Sequence, residues 1–316
     1  MYAISLKDVQ FAANRIAGAA HPTPIMRCAT LDRLAGRRLF LKCEQWQKVG
    51  AFKFRGACNA VLKLSDAEAK KGVVTHSSGN HAQALALAAK LRGIPAHIVM
   101  PRNATSVKRR AVEGYAANVV ECEPTLIARE VKVAEVQQRT GAILIPPYNH
   151  PDVMAGQGTV ALEMLDESPD LDAIVAPIGG GGLMAGVAIA AKALKPAIRL
   201  FAAEPLGADD AARSKSSGIF IQQTAPQTIA DGLLTSMGDM TWPVIRDLVE
   251  AVVTVTEEEI VQAMRLTWER AKLLIEPSSA VAVAAVMTPA FQGLPGMRDV
   301  GIVLSGGNVN LDRLPW

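Results

Sequence analysis

The sequence predicts an α/β protein of two domains, built on open, twisted, mostly parallel sheets flanked by helices. Three observations predict it. Short aliphatic runs alternate with stretches of helical period, the rhythm of βα units whose strands are buried on both faces. Half of the residues are hydrophobic but only 4% are aromatic, so Ala, Val, Leu and Ile must fill the interior. A chain of 316 residues is also long enough for about two cores.

Taken in order, "GVVTH" (72–76) reads as a strand, "SSGN" as a turn, and "HAQALALAAKLRG" as a helix ending at Gly93. "AHIVM" (96–100) follows with a helix to Gly114, then "NVVEC" (118–122) with the helix "AREVKVAEVQQRTG" (128–141). The run "AILIPP" (142–147) reads as the last strand of this set. A second series begins at "AIVAP" (173–177), which leads through "IGGGGLMAG" into the helix "VAIAAKALK", and "IRLFAAEP" (198–205) is its next strand. Near the end, "VGIVLSGGN" (300–308) reads as a buried strand delivering a glycine-rich turn. The expected division is a large domain of residues 1–72 plus 148–316 and a small domain of residues 73–147 set into it. Ligands of such sheets bind beyond the carboxyl ends of the strands, and all three glycine-rich turns (77–80, 179–182 and 305–308) fall there.

Composition removes several function classes. Net charge is +3 with no long basic block, and "KRR" (108–110) sits in a polar helical pattern that reads as a solvated face, so no nucleic-acid partner is expected. Cys28, Cys43, Cys58 and Cys122 show no CxxC pair or metal-ligand spacing and read as reduced thiols of a cytoplasmic protein. No apolar run approaches membrane-spanning length, and "AVAVAAVM" (280–287) is core-sized. Lys7 and Asp8 interrupt the stretch where a signal peptide would need apolar continuity.

Chemistry concentrates in three places. In "IGGGGLMAG", Gly179, Gly180, Gly181 and Gly182 leave successive backbone N–H groups unshielded just before a helix, a cradle suited to a phosphate. Gly180-x-Gly182-x-x-Ala185 also loosely satisfies the dinucleotide fingerprint, with Glu204 at the distance of a ribose-binding acid, so an NAD enzyme stays open at this point. No GxxxxGK[ST] is present, which excludes a P-loop. "SSGNH" is a second strand-to-helix turn whose N–H groups suit a carboxylate, although its serines alone read most simply as N-caps. In "QKVGAFKFRG", Lys53 stands between two phenylalanines, either an ordinary lysine packing its stem or a reactive amine. Pyridoxal phosphate needs an amine for its aldehyde, a phosphate cradle and a partner for its ring nitrogen, and Lys53, the four glycines and Ser305 are a candidate for each.

With these residues together the chain resembles the serine racemase and serine/threonine dehydratase family of fold-type II pyridoxal-phosphate enzymes, which share the tryptophan synthase β-like fold. The resemblance runs through "KCEQWQKVGAFKFRGACNAV", "HSSGNHAQALALAAK", "AGQGTVALEML", "GGGGLMAGVAIAAK", "AAEPLGADDAARSK", "TIADGL", "TWERAKLLIEPSSAV" and "IVLSGGNV", nearly the whole chain. It implies that Lys53 is the lysine that bonds the cofactor and that Phe52 packs against the ring. It implies Asn80 on the 3′-oxygen, Gly179 to Gly182 with Leu183 on the phosphate, Ser305 on the pyridine nitrogen, and Gly232 and Glu276 at further cofactor positions. The turn of Ser77, Ser78, Gly79, Asn80 and His81 would bind the substrate carboxylate through its backbone.

Ser78 carries the most information. Racemases of the family have a serine there, opposite the lysine, where threonine dehydratases typically have alanine. Racemisation needs an acid/base on each face, Lys53 on one and Ser78 on the other. Hydroxyaspartate dehydratases also read "SSGNH", so elimination to a keto acid and ammonia remains the alternative, on threonine, serine or threo-3-hydroxyaspartate. "EPLGADD" resembles the family's divalent-cation site, with Glu204, the Ala208 carbonyl and Asp210 as ligands for Mg²⁺, Mn²⁺ or Ca²⁺. Arg129 matches a gate arginine that could face a substrate side chain or second carboxylate, and Tyr148 and Thr235 fall at other substrate-side positions, where animal racemases commonly differ.

Animal racemases bind ATP near positions that here read "MRCAT" (26–30) and Val49, so ATP activation is not carried over. The chain stops at Trp316, without room for the regulatory domain of biosynthetic threonine dehydratases, and isoleucine feedback is not expected. The family's habit is the homodimer. The expectation is a cytoplasmic enzyme that racemises L-serine with accompanying α,β-elimination. A dehydrogenase or a catalytically dead amino-acid-binding module would form no coloured adduct at Lys53.

Overall fold

A computed structural model describes residues 2–104 and 106–316, the side chains of 106–108 excepted. Its strands are β1 (Ile25–Met26), β2 (Arg38–Cys43), β3 (Val73–His76), β4 (Ala96–Pro101), β5 (Asn118–Cys122), β6 (Ile143–Leu144), β7 (Ala173–Pro177), β8 (Arg199–Pro205), β9 (Ala251–Val255) and β10 (Asp299–Leu304). They form two sheets, one in the order β1-β2-β10-β7-β8-β9 and one in the order β5-β4-β3-β6. Every pairing is parallel except β1 with β2. This is the α/β architecture expected, with residues 73–147 carrying the whole of the smaller sheet.

The aliphatic runs form strands because each of their faces meets a layer of helices. In β7, Ile174 and Ala176 enter one core while Ala173 and Val175 enter another, and β8 divides Leu200 and Ala202 from Phe201 and Ala203 in the same way. Alternate side chains point to opposite faces, so a strand covered on both sides has no polar face and reads as continuous Ala, Val and Ile. The smaller sheet repeats this, with Val73 and Ile98 on one face and Val74 and Val99 on the other.

Three strands went unrecognised in the sequence. β2, "RLFLKC", buries Leu39, Leu41 and Cys43, but its alternation is broken by Lys42, a fully buried charge. β9 is a half-exposed edge strand, and β1 has only two residues. In "AILIPP" only Ile143 and Leu144 are paired as strand; Pro146 and Pro147 have no N–H to donate to a ladder. Of "KRR", Arg110 is exposed and Arg109 pairs with Glu121, while the Lys108 side chain lies outside the described residues. The four cysteines are unbridged, three of them buried. Among the described residues no helix is long and apolar enough to cross a membrane.

One helix ties the two sheets together. Lys53–Lys63 puts Phe54, Ala57 and Val61 into the core beneath the smaller sheet. Its other side lies on the helix Pro151–Glu167, which in turn packs on Gly182–Leu194 of the larger unit.

Candidate active site

The carboxyl ends of β10, β7 and β3 deliver the three turns singled out in the sequence. After β10, Ser305 is buried and its carbonyl accepts from the Phe52 N–H at 3.0 Å. Ala51 and Gly306 form a β-bridge, and the Gly307 N–H donates to the Gly50 carbonyl at 2.9 Å. This short antiparallel contact brings the loop before Lys53 against the loop after Ser305, two segments some 250 residues apart in the chain.

Lys53 opens its helix, and its ammonium donates to the Pro147 carbonyl at 2.8 Å and lies 5.1 Å from the Phe52 ring centroid. Burial lowers its pKa to about 8, and the Glu276 carboxylate opposes that shift. A lysine with a surface head group would show no such depression. The bland reading of Lys53 as a stem-packed surface charge does not fit this geometry.

The glycine run cradles a ligand with backbone alone. Gly181 caps the helix Gly182–Leu194 at φ 83°, a left-handed conformation that disfavours any side chain. A Cβ on Gly180 would fall 2.3 Å from the Tyr148 ring, and one on Gly182 2.8 Å from Tyr148 Cβ. The first N–H groups of this helix have no intrahelical acceptor, and the helix dipole favours an anion beside them. Thr241 fixes the cradle from behind: its hydroxyl donates to the Gly180 carbonyl at 2.9 Å and accepts from the Gly238 N–H at 2.8 Å.

The turn after β3 faces this from the smaller sheet. The Ser77 hydroxyl accepts from the Gly79 N–H at 3.3 Å, and Ser78 is half-buried with no hydrogen bond to another described residue. Asn80 starts the helix Asn80–Arg92 and donates to Glu276 at 2.9 and 3.2 Å, while its oxygen accepts from Asn308 Nδ2 at 2.9 Å. Asn308 also donates to the Val49 carbonyl at 2.7 Å, and its N–H to Glu276 at 2.9 Å. Asn80, Glu276 and Asn308 therefore bridge the two sheets. The His81 ring is buried, with Nε2 2.9 Å from the Ile145 carbonyl, and burial drives its pKa down to about 3. His81 stays neutral at any working pH and can serve as no proton source.

The other expected residues lie around this centre. Tyr148 is half-buried on the cradle and its hydroxyl meets the exposed Thr235 hydroxyl. Gly232 donates its N–H to Ser278 Oγ at 2.9 Å. Arg129 lies farther out, beside His76 and Cys122, with a buried Nε that has no partner among the described residues. Glu204, Ala208 and Asp210 are buried together at the end of β8. Burial, with Asp210 nearby, raises Glu204 to about 8, and burial raises Asp210 to about 6. Glu204 accepts from the N–H groups of Ala211 and Ala212, while Asp210 Oδ1 has no partner among the described residues. Two buried acids with an orphaned oxygen fit a hard divalent cation that completes its shell with the Ala208 carbonyl and water.

Thr241, Asn308 and the Pro147 carbonyl were not picked out from the sequence. Asn308 stands inside the quoted "LSGGNVN", but a hydrogen bond to Asn80 across 228 residues leaves no local signal.

An amine heading a helix, a bare N–H cradle heading a second helix, and a hydroxyl at a strand end fit the aldehyde, phosphate and ring nitrogen of pyridoxal phosphate. They define an enzyme of the fold-type II class. A family model described as "Pyridoxal-phosphate dependent enzyme" matches residues 16–306, and the chain belongs to that family. It is 53% identical to a serine racemase of Arabidopsis thaliana, over 99% of this chain and 96% of that protein. Its fold superposes on the structure of maize serine racemase with a TM-score of 0.97 at 49% identity, covering 98% of this chain and 95% of that one. It also matches the crystal structure of a bacterial-type threonine deaminase with a TM-score of 0.93 at 41% identity, covering 98% of this chain and 100% of that one. Glu204 therefore stands in a chain of the pyridoxal-phosphate class, and the NAD alternative is set aside.

Proposed function

We propose that the protein racemises L-serine and, from the same substrate, eliminates the β-hydroxyl to give pyruvate and ammonia. The observation that carries this reading is the meeting of Lys53, Ser305 and the glycine cradle at the carboxyl ends of the larger sheet, with Ser78 on the turn that faces them from the smaller one. Racemases and a deaminase among the relatives support both halves of it.

Bound pyridoxal phosphate supplies an aldehyde for an amine and an electron-withdrawing ring that acidifies the substrate's Cα–H. The residues of the chain do the rest. Gly179, Gly180, Gly181, Gly182 and Leu183 hold the phosphate; Asn80, Ser305, Phe52, Gly232 and Glu276 surround the ring. Ser305 is neutral and cannot keep the ring nitrogen firmly protonated. The backbone of Ser77 to His81 binds the substrate carboxylate. Lys53, with its depressed pKa, moves the α-proton on one face, and the unpartnered hydroxyl of Ser78 moves it on the other. Tyr148 and Thr235 line the substrate side. Mg²⁺, or Mn²⁺ or Ca²⁺ in its place, sits between Glu204, the Ala208 carbonyl and Asp210. The proposal includes a cytoplasmic homodimer and the division into units 1–72 plus 148–316 and 73–147.

A second reading is a dehydratase of L-threonine or threo-3-hydroxyaspartate. The buried, unpartnered Nε of Arg129 favours the dicarboxylic substrate.

The test uses purified protein with Mg²⁺ and L-serine, L-threonine and L-threo-3-hydroxyaspartate in separate reactions, measuring D-amino acid by chiral chromatography and keto acid together. D-Serine that disappears in Ser78→Ala while pyruvate persists is the expected result. Keto acid with no D-isomer from any substrate would replace the racemase reading with the dehydratase one.

A further inference from the structure

The helix Pro151–Glu167 touches both halves of the cofactor site from behind, and it does so through glycine. On one side, Gly156 faces the helix that begins at Lys53: a Cβ on Gly156 would fall 2.6 Å from the Arg55 carbonyl and from Gly56 Cα. Gly56 returns the contact, since its own Cβ would lie 2.7 Å from the Val153 carbonyl. On the other side, Gly158 faces the helix that begins at the cradle, and its Cβ would fall 2.8 Å from the Gly186 carbonyl. A Cβ on Gly186 would lie 2.3 Å from the Met154 carbonyl. Each crossing lies within a turn or so of the residues that act, Lys53 in one helix and Gly182 in the other.

Polar contacts fix the rotation as well as the distance. Gln157 lies between the two glycines, and its Oε1 accepts from the Gly56 N–H at 3.1 Å. Arg55 donates to Thr159 at 3.1 Å and to Glu163 at 2.6 and 2.8 Å on the same helix. The geometry points to "GQG" (156–158) as a spacer: Gly156, Gln157 and Gly158 are positioning residues that set the separation between the Lys53 amine and the glycine cradle.

The inference rests on the reading of Lys53 and residues 179–182 as two ends of one site. If that reading holds, the site binds its cofactor as a chelate, gripping the aldehyde carbon with one helix and the phosphate with another. Such double engagement multiplies affinity only while the two grips match the length of the ligand. Atoms of a packed interior closer than 3.0 Å must move apart, so a methyl group at Gly156 or Gly158 separates helix axes instead of bending a side chain.

The experiment compares apoprotein binding of pyridoxal 5′-phosphate with that of pyridoxal, which keeps the aldehyde and lacks the phosphate, by the visible absorption of the lysine adduct. The affinity ratio of the two reports how well cradle and amine cooperate. In Gly156→Ala and Gly158→Ala the ratio should fall on the order of tenfold or more, as misplacement near an ångström does elsewhere. Pyridoxal binding itself should stay near the parent value. Gly293→Ala, where the new Cβ meets its nearest neighbour at an ordinary 3.4 Å, should leave the ratio unchanged. If both glycine variants fail to fold, Gln157→Ala decides: it adds no bulk and frees the Gly56 N–H, and it should lower the ratio several-fold. An unchanged ratio in the folded variants overturns the spacer. A parent that forms no adduct, or one that Lys53→Ala still forms, overturns the cofactor reading itself.

Discussion

Burial holds the Lys53 amine at about 8 against an ordinary value of 10.5, and the Glu276 carboxylate limits the fall. The apoprotein should therefore react with amine-directed aldehydes at a rate that rises with pH through a midpoint near 8. Glu276→Gln removes the opposing charge and should move that midpoint lower, which a pH series of adduct absorbance would show. The folded value lies below the unfolded one, so the buried ammonium costs stability below pH 8, and stability recovers as pH climbs from about 8 to 10.5. At this scale the sequence was readable wherever a residue type is rare in its setting. A lysine between two phenylalanines, four glycines in a row and a serine at the end of an aliphatic strand each announce themselves. Thr241 and Asn308 did not, because a threonine before a tryptophan and an asparagine in a glycine-rich turn are ordinary until the fold brings Gly180 and Asn80 to them.

Among the elements, β2 and the helix Lys53–Lys63 share a buried charge network. Arg55 donates to Glu44 at 2.7 and 2.9 Å and to Glu163, and the Lys42 ammonium donates to Glu163 at 2.6 Å and to the Thr23 carbonyl at 2.5 Å. Arg55, Glu44 and Lys42 are almost wholly removed from solvent. Removing one partner of such a set leaves a buried charge uncompensated, so Glu44→Gln should destabilise the protein by about 3–5 kcal/mol in urea unfolding. The same network explains why β2 was missed: a lysine and an arginine read as surface signals unless their carboxylate partners are known. The doubly covered strands β7, β8 and β10 were legible for the opposite reason, since nothing polar interrupts them.

At the scale of the whole molecule, two parallel sheets face each other across the site, and Asn80, Glu276 and Asn308 bridge them. The order βαβ in the sequence carries the sheets, but which helix joins them does not follow from it. Lys53–Lys63 precedes the smaller sheet in the chain and yet completes its core. The buried pair Glu204 and Asp210 places a second demand on the larger unit, for a cation. Saturating Mg²⁺, at about a hundred times its dissociation constant, should stabilise the protein by about 2.7 kcal/mol, and a chelator should reverse this. Asp210→Ala should abolish the Mg²⁺-dependent rise in melting temperature, measured by calorimetry.

The central claim is that Lys53 and Ser78 exchange the substrate's α-proton from opposite faces. Nuclear magnetic resonance of L-serine and D-serine in D₂O, each with parent and Ser78→Ala protein, reads it directly as loss of the Cα–H signal. The parent should exchange both enantiomers, and Ser78→Ala should keep exchange in the enantiomer that Lys53 serves while losing it in the other. Exchange of both enantiomers at parental rates in Ser78→Ala would contradict the claim, because a single base would then be doing the work of two.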